Sequence, residues 1–218
     1  MTRLIKVTAA LLAVFALACS EKDDRTPTGP GGTPPPVVVA LGDSITAGFG
    51  VRATEAYPAL LQERARASGF PHLVINAGVS GNTTAHGLSR LDAALHPDTR
   101  VLILALGGND GIIGLPVADV KQNLRDIITR AASRNIRVML AGMISPPTHG
   151  LDYMTRFGNL YPELAAEFGI PLMPFLLHNV LGRPELNVDP IHPNAAGQRV
   201  IANEMWPYLE PLLRATTP

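Results

Sequence analysis

The sequence predicts an α/β domain in three layers, a five-stranded parallel sheet with helices on both faces. Three observations carry this. Five short apolar runs alternate with longer segments of helical period, the pattern of βαβ units. No repeat and no second linker divides the chain once the apolar runs begin. With 218 residues, 46% apolar and 17% charged, there is enough to bury one full core and too little charge for a disordered chain.

Taken in order, the strands are expected at Val37–Leu41, Leu73–Asn76, Val101–Leu106, Val138–Met143 and Ile170–Pro174. The helices between them are expected at Ala56–Ser68, Thr84–Leu95, Val117–Ser133 and Asp152–Phe168, with a closing helix from Asn194 to Leu213. Gly69 and Gly169 stand where left-handed C-caps are wanted, and Asn194 stands as an N-cap before Ala195. A short helical turn is expected over Leu176–Val180, after Pro174. Right-handed crossovers place helices on both faces, and the order 2-1-3-4-5 sets the ends of strands one and three side by side at the switch point.

The amino terminus reads as an export signal. Arg3 and Lys6 precede an apolar run from Val7 to Ala18, too short for a membrane span but suited to a signal-peptide core. Cleavage after Ala18 would leave Cys19, the single cysteine, at the mature end. That position is similar to bacterial lipoproteins, which would make Cys19 a lipidated tether; a plainly secreted protein is the other reading. Residues 1–18 are therefore read as signal peptide, 19–36 as a Pro/Gly/Thr-rich linker and 37–218 as the folded domain. The location expected is periplasmic, membrane-anchored or secreted. Formal charge is +0 overall and about −2 without the first eighteen residues, and no basic patch is present, so nucleic acid is not an expected partner.

Four stretches could carry chemistry. In Val37–Thr46 the first strand ends near Gly42, and Ser44 falls just past its carboxyl end, where parallel sheets place their crevices; it reads as a nucleophile or as a turn-capping serine. Asp43 is expected to accept backbone bonds around that turn. In Asn76–Thr83, Gly81 could present its amide to the crevice or serve only as a Gly-rich turn. In Gly107–Gly111, the Asn109 amide is a fixed donor of the kind a developing oxyanion needs, or it bonds its own backbone, the role also assigned to Asp110. In Asp189–Asn194, prolines at 190 and 193 prevent a helix, and the turn can fold the Asp189 carboxylate onto the His192 ring; an incidental surface histidine is the alternative. Together they make a set: Ser44 as nucleophile, His192 as base, Asp189 as its orienting group, and the Ser44 and Gly81 amides with the Asn109 side chain as oxyanion donors.

The blocks GDSIT, AGVSGNT, GGND and DPIHPN resemble, in order and spacing, the four signature blocks of the GDSL/SGNH hydrolases. GGNDGIIGLP and YPELAAEFGIPLMPFLL look like the bacterial thioesterase I/protease I/lysophospholipase L1 and arylesterase branch. The resemblance implies a flavodoxin-like sandwich and hydrolysis of acyl esters and thioesters, lysophospholipids included, with no metal or cofactor. The same four functional residues, Ser, Gly, Asn and His, recur in that family with an Asp three before the His. Ser44 is not in a G-x-S-x-G elbow, which separates the chain from the α/β-hydrolases.

An acyl pocket is expected from Ile112, Ile113, Leu115 and Pro116 beyond the third strand and Ile144, Pro146 and Pro147 beyond the fourth, although ordinary loop packing would use the same residues. The remaining histidines, His72, His86, His96, His149 and His178, have no metal-site spacing, and Trp206 with Met205 and Leu209 fits a buried helix face. The competing functions are a carbohydrate acetylesterase of the same superfamily and a non-catalytic tethered module. The chain's 5% aromatic content disfavours the first, and the presence of every catalytic residue type disfavours the second. The oligomeric state is not legible.

Overall fold

A computed structural model describes residues 34–217. The signal peptide, most of the linker and Cys19 lie outside the described residues. Five strands, β1 (Val37–Gly42), β2 (Leu73–Gly78), β3 (Thr99–Ala105), β4 (Arg137–Ala141) and β5 (Leu172–Met173), form one sheet in the order β2-β1-β3-β4-β5, with every pairing parallel. This is the predicted order and class. β1 and most of β3 are buried, as strands covered on both faces must be, and their runs Val37–Leu41 and Val101–Ala105, apolar without alternation, follow from that.

Among the described residues eight α-helices flank the sheet: α1 (Ser44–Ala47), α2 (Tyr57–Ala67), α3 (Thr84–Ser89), α4 (Leu91–Ala94), α5 (Gly108–Ile113), α6 (Val117–Ala132), α7 (Leu151–Phe168) and α8 (Ala195–Arg214). α6 turns Val120, Leu124, Ile127, Ile128 and Ala131 inward at helical spacing, and α8 does the same with Ile201, Met205, Trp206 and Leu209. The caps fall as the sequence indicates. Gly169 ends α7 in a left-handed conformation, and the Asn194 side chain accepts from the Ala196 and Gly197 amides at the head of α8.

Three expectations need correction. The segment 84–95 is two helices, interrupted at Arg90, whose backbone leaves helical geometry (φ −105°, ψ 5°) while its guanidinium is drawn onto the Gly42 carbonyl and the Asn82 side chain. β5 keeps two residues of the expected five because Pro171 and Pro174 flank it and have no N–H for the ladder. The expected turn at Gly107–Gly111 is a short helix, α5, and the residues from Ser44 on make a single helical turn, α1. Among the described residues no helix is long and apolar enough to cross a membrane.

Candidate active site

Because all strands run parallel, the loops after β1, β2, β3 and β5 meet at one edge. Ser44 opens α1 directly after β1, with Asp43 as the N-cap accepting from the Ile45 amide at 3.0 Å. Glycine is required at the two strand ends that hold this turn. A β-carbon at Gly42 would stand 1.9 Å from Thr46 Oγ1, and one at Gly78 would stand 2.2 Å from the Ala47 nitrogen. Other contacts staple the turn from outside. Asn76 Nδ2 donates to the Thr46 carbonyl at 2.8 Å, Gln198 Nε2 to the Ile45 carbonyl at 3.1 Å, and Arg90 Nη2 to the Gly42 carbonyl at 2.9 Å.

On the opposite wall, the turn from Asp189 to Asn194 is pinned by an isolated antiparallel bridge between Asn187 and Pro193 and by the Val188 amide donating to the His192 carbonyl at 2.8 Å. Asp189 Oδ1 accepts from the Ile191 and His192 amides at 3.0 and 2.9 Å, and Oδ2 lies 2.7 Å from His192 Nδ1. Those backbone amides, the Ile191 bond first and then the imidazole, hold the Asp189 carboxyl below its ordinary range. The carboxylate is thus ionised near neutral pH, so Nδ1–H donates to it and Nε2 is left as an acceptor. His192 Nε2 is 3.0 Å from Ser44 Oγ, across 148 residues of chain. The Phe49 ring covers the imidazole with ring centres 4.4 Å apart.

The third wall is α5. Asn109 Nδ2 donates to the Asn82 carbonyl at 2.9 Å and sits 3.5 Å from Asp43 Oδ2. Asn109 thereby bridges the Ser44 turn to the loop that carries Gly81. Gly81 has a left-handed backbone (φ 79°) within the Val79–Asn82 turn and does not border the cavity described below. Asp110 departs from the expected role. It is fully buried, and its carboxylate accepts from the Thr84 amide and, at 2.6 Å, from the Thr84 hydroxyl, so it ties α5 to α3 instead of closing its own turn.

A cavity of about 340 Å³ opens beside Ser44, Asn109 and His192. Of the expected acyl-pocket residues, Ile112, Ile144, Pro146 and Pro147 line it, whereas Ile113, Leu115 and Pro116 do not. Helix geometry explains the difference. On α5 Ile112 falls in the sector between Gly108 and Asn109, while Ile113 is turned a further 100° toward solvent and is 59% exposed. Gly114, left-handed, then carries the chain away, so that Leu115 packs on the core and Pro116 precedes α6. Met143, Met154, Phe175, Leu177 and Leu181 complete the wall. Phe175, Leu177 and Leu181 have no periodicity that marks them, in the loop beyond β5, and Met143 and Met154 read as parts of a strand and a helix. Gln198 did leave a signal: it is a polar residue in the apolar stripe of α8, at the position where Ile201 and Met205 continue it.

Asp43 is buried beside this cavity, and burial pushes its carboxyl up to about 6 from 3.8, against the pull of the Ile45 amide. Between those values the folded state holds a proton there that the unfolded chain has lost, so this group's contribution to stability falls as pH rises from about 4 to about 6 and is constant above. For a shift of this size the change is about 3 kcal/mol. Denaturant titrations from pH 3 to 7 should show wild type losing that much relative to Asp43→Asn; a constant difference across the range would place Asp43 at an ordinary pKa.

The chain matches the GDSL-like lipase/acylhydrolase family over residues 40–200. It is 38% identical over 178 residues to Esterase TesA of Pseudomonas aeruginosa, covering 81% of this chain and 89% of the relative. It is 37% identical over 178 residues to Thioesterase 1/protease 1/lysophospholipase L1 of Escherichia coli (strain K12), covering 81% and 84%. A crystal structure of TesA superposes with a TM-score of 0.77 at 36% identity, over 81% of this chain and 99% of that one.

Proposed function

The chain belongs to the GDSL-like lipase/acylhydrolase family and is a carboxylic ester hydrolase, and from that premise we propose that it is an exported serine esterase cleaving acyl esters and thioesters through Ser44, His192 and Asp189. The observation that carries the reading is the continuous chain Ser44 Oγ, His192 Nε2, His192 Nδ1, Asp189 Oδ2, with its two contacts at 3.0 and 2.7 Å. Export rests on the basic residues Arg3 and Lys6 and the apolar run behind them.

In the proposed cycle, Ser44 Oγ attacks the acyl carbonyl as Nε2 of His192 takes its proton, and the ionised Asp189 stabilises the imidazolium that forms. Charge develops on the carbonyl oxygen. The Ser44 amide, with no intrahelical acceptor at the first position of α1, and Asn109 Nδ2 are the donors assigned to that oxygen, with the Gly81 amide as the third. His192 then protonates the leaving alcohol or thiol, and water repeats the sequence on the acyl-enzyme. A fluorophosphonate probe should label Ser44 stoichiometrically; a folded protein that stays unlabelled would remove the assignment and favour a binding module.

The apolar wall supports an acyl chain over an acetylated sugar, whose hydroxyls would want polar and aromatic partners. Substituting Trp for Ile112 or Ile144 should move the preference among p-nitrophenyl esters toward shorter chains, whereas Trp at Ile113 should leave the profile in place. Unchanged profiles in all three would put the acyl chain elsewhere.

A further inference from the structure

Of the ten exposed large apolar side chains among the described residues, all but Leu73 lie beyond the carboxyl ends of the strands, on the edge where the cavity opens. Each loop contributes. Phe49 follows β1, Val79 follows β2, Ile113 follows β3, Ile144 and Leu151 follow β4, and Val188 follows β5, with exposures from 44% to 78%. Contacts join these loops in pairs. Phe49 lies on His192, Val188 meets the loop at Gly50, and the His149 ring bonds the Ile112 carbonyl at 2.9 Å, linking the β3 and β4 loops. A monomer rarely collects its exposed apolar side chains on one edge unless that edge meets something.

The charge around the rim narrows what that is. These loops contain no lysine; Arg52 is paired with Glu55, Asp152 with Arg156, and Arg183 is offset by Glu185 two residues on. There is no cationic cluster for an anionic surface. A protein or second copy seated here would cover the mouth beside Ser44, whereas a lipid layer would present acyl chains to it.

We propose that this rim docks on a zwitterionic lipid surface, holding the cavity mouth against the layer so that an acyl ester passes from lipid into the cavity without crossing water. The proposal rests on the reading of the chain as an acyl-ester hydrolase, and its test separates the two. In the full chain with Cys19→Ser, an environment-sensitive dye is placed at Leu151→Cys or, on the far edge, at Ser68→Cys. Phosphatidylcholine vesicles should shift the emission of the first to the blue and leave the second unchanged, equally at low and high salt. No shift at 151, or equal shifts at both, overturns the proposal. So does emission at 151 already blue without vesicles, which would put a second copy or the amino-terminal apolar segment on the rim.

The activity arm uses Ile113→Asp combined with Leu151→Asp, neither of which lines the cavity. Hydrolysis of lysophosphatidylcholine held in vesicles should fall roughly tenfold or more, with kcat/KM on a soluble short-chain p-nitrophenyl ester unchanged. Equal effects on both substrates count against the rim. Failure of wild type on both would instead remove the esterase reading, and the dye at position 151 would still decide the docking.

Discussion

Ser44→Ala is expected to lower kcat by a factor on the order of 10⁵ to 10⁶, with KM nearly unchanged. In the proposed cycle this hydroxyl forms the covalent bond, and no neighbouring side chain can replace it: Thr46 Oγ1, the nearest hydroxyl in sequence, is buried against Tyr57 at 2.9 Å. The apolar cavity wall proposed to bind the acyl chain is untouched, so ground-state affinity stays. What remains comes from the oxyanion donors and from binding, which persist when a triad member is lost. Folding is expected to survive, because the Ser44 side chain bonds His192 alone among the described residues and closes no part of the core. Steady-state kinetics on a p-nitrophenyl ester, with active-site titration of wild type as reference, measures this. A variant within tenfold of wild type would move the nucleophile to another residue.

The fold and the site were legible in the sequence to different depths, for physical reasons. The five strands could be read because each is a short apolar run between segments of helical period, and the glycine at 169 ends its helix by conformational need. α1 and α5 could not, because four and six residues are too few for a period to show. The break at Arg90 was hidden because its cause is tertiary, a guanidinium drawn to a carbonyl forty-eight residues away. In the site, the four stretches were visible because each carries a reactive side chain, a donor side chain or a Gly-rich turn next to a strand end or the last helix. The staples were not. Arg90, Asn76 and Gln198 all donate to backbone carbonyls of the nucleophile turn, and a carbonyl has no identity in a sequence. Ile113 was taken for a pocket residue because composition says apolar without saying which way a helix turns it.

Asn109→Ala is expected to cost about 10²- to 10³-fold in kcat, equivalent to roughly 3–4 kcal/mol of barrier, again with little change in KM. Nδ2 carries two hydrogens with different tasks. One is committed to the Asn82 carbonyl at 2.9 Å, which fixes the plane of the amide before substrate arrives. The other points toward the Ser44 turn, where the resting enzyme offers only the long 3.5 Å contact to Asp43 Oδ2. In the proposed cycle the oxyanion sits on the carbon bonded to Ser44 Oγ and offers this hydrogen a new, charged acceptor, so the hydrogen bond tightens as the tetrahedral intermediate forms and is felt in kcat. Asn109→Asp should be worse than alanine, since it turns a carboxylate toward both the Asn82 carbonyl and the developing negative charge. The order wild type, alanine, aspartate in kcat, at similar KM, is the signature of a donor acting on the transition state. If alanine and aspartate lose activity equally and both raise KM, Asn109 shapes the cavity wall and the oxyanion is held by backbone amides alone.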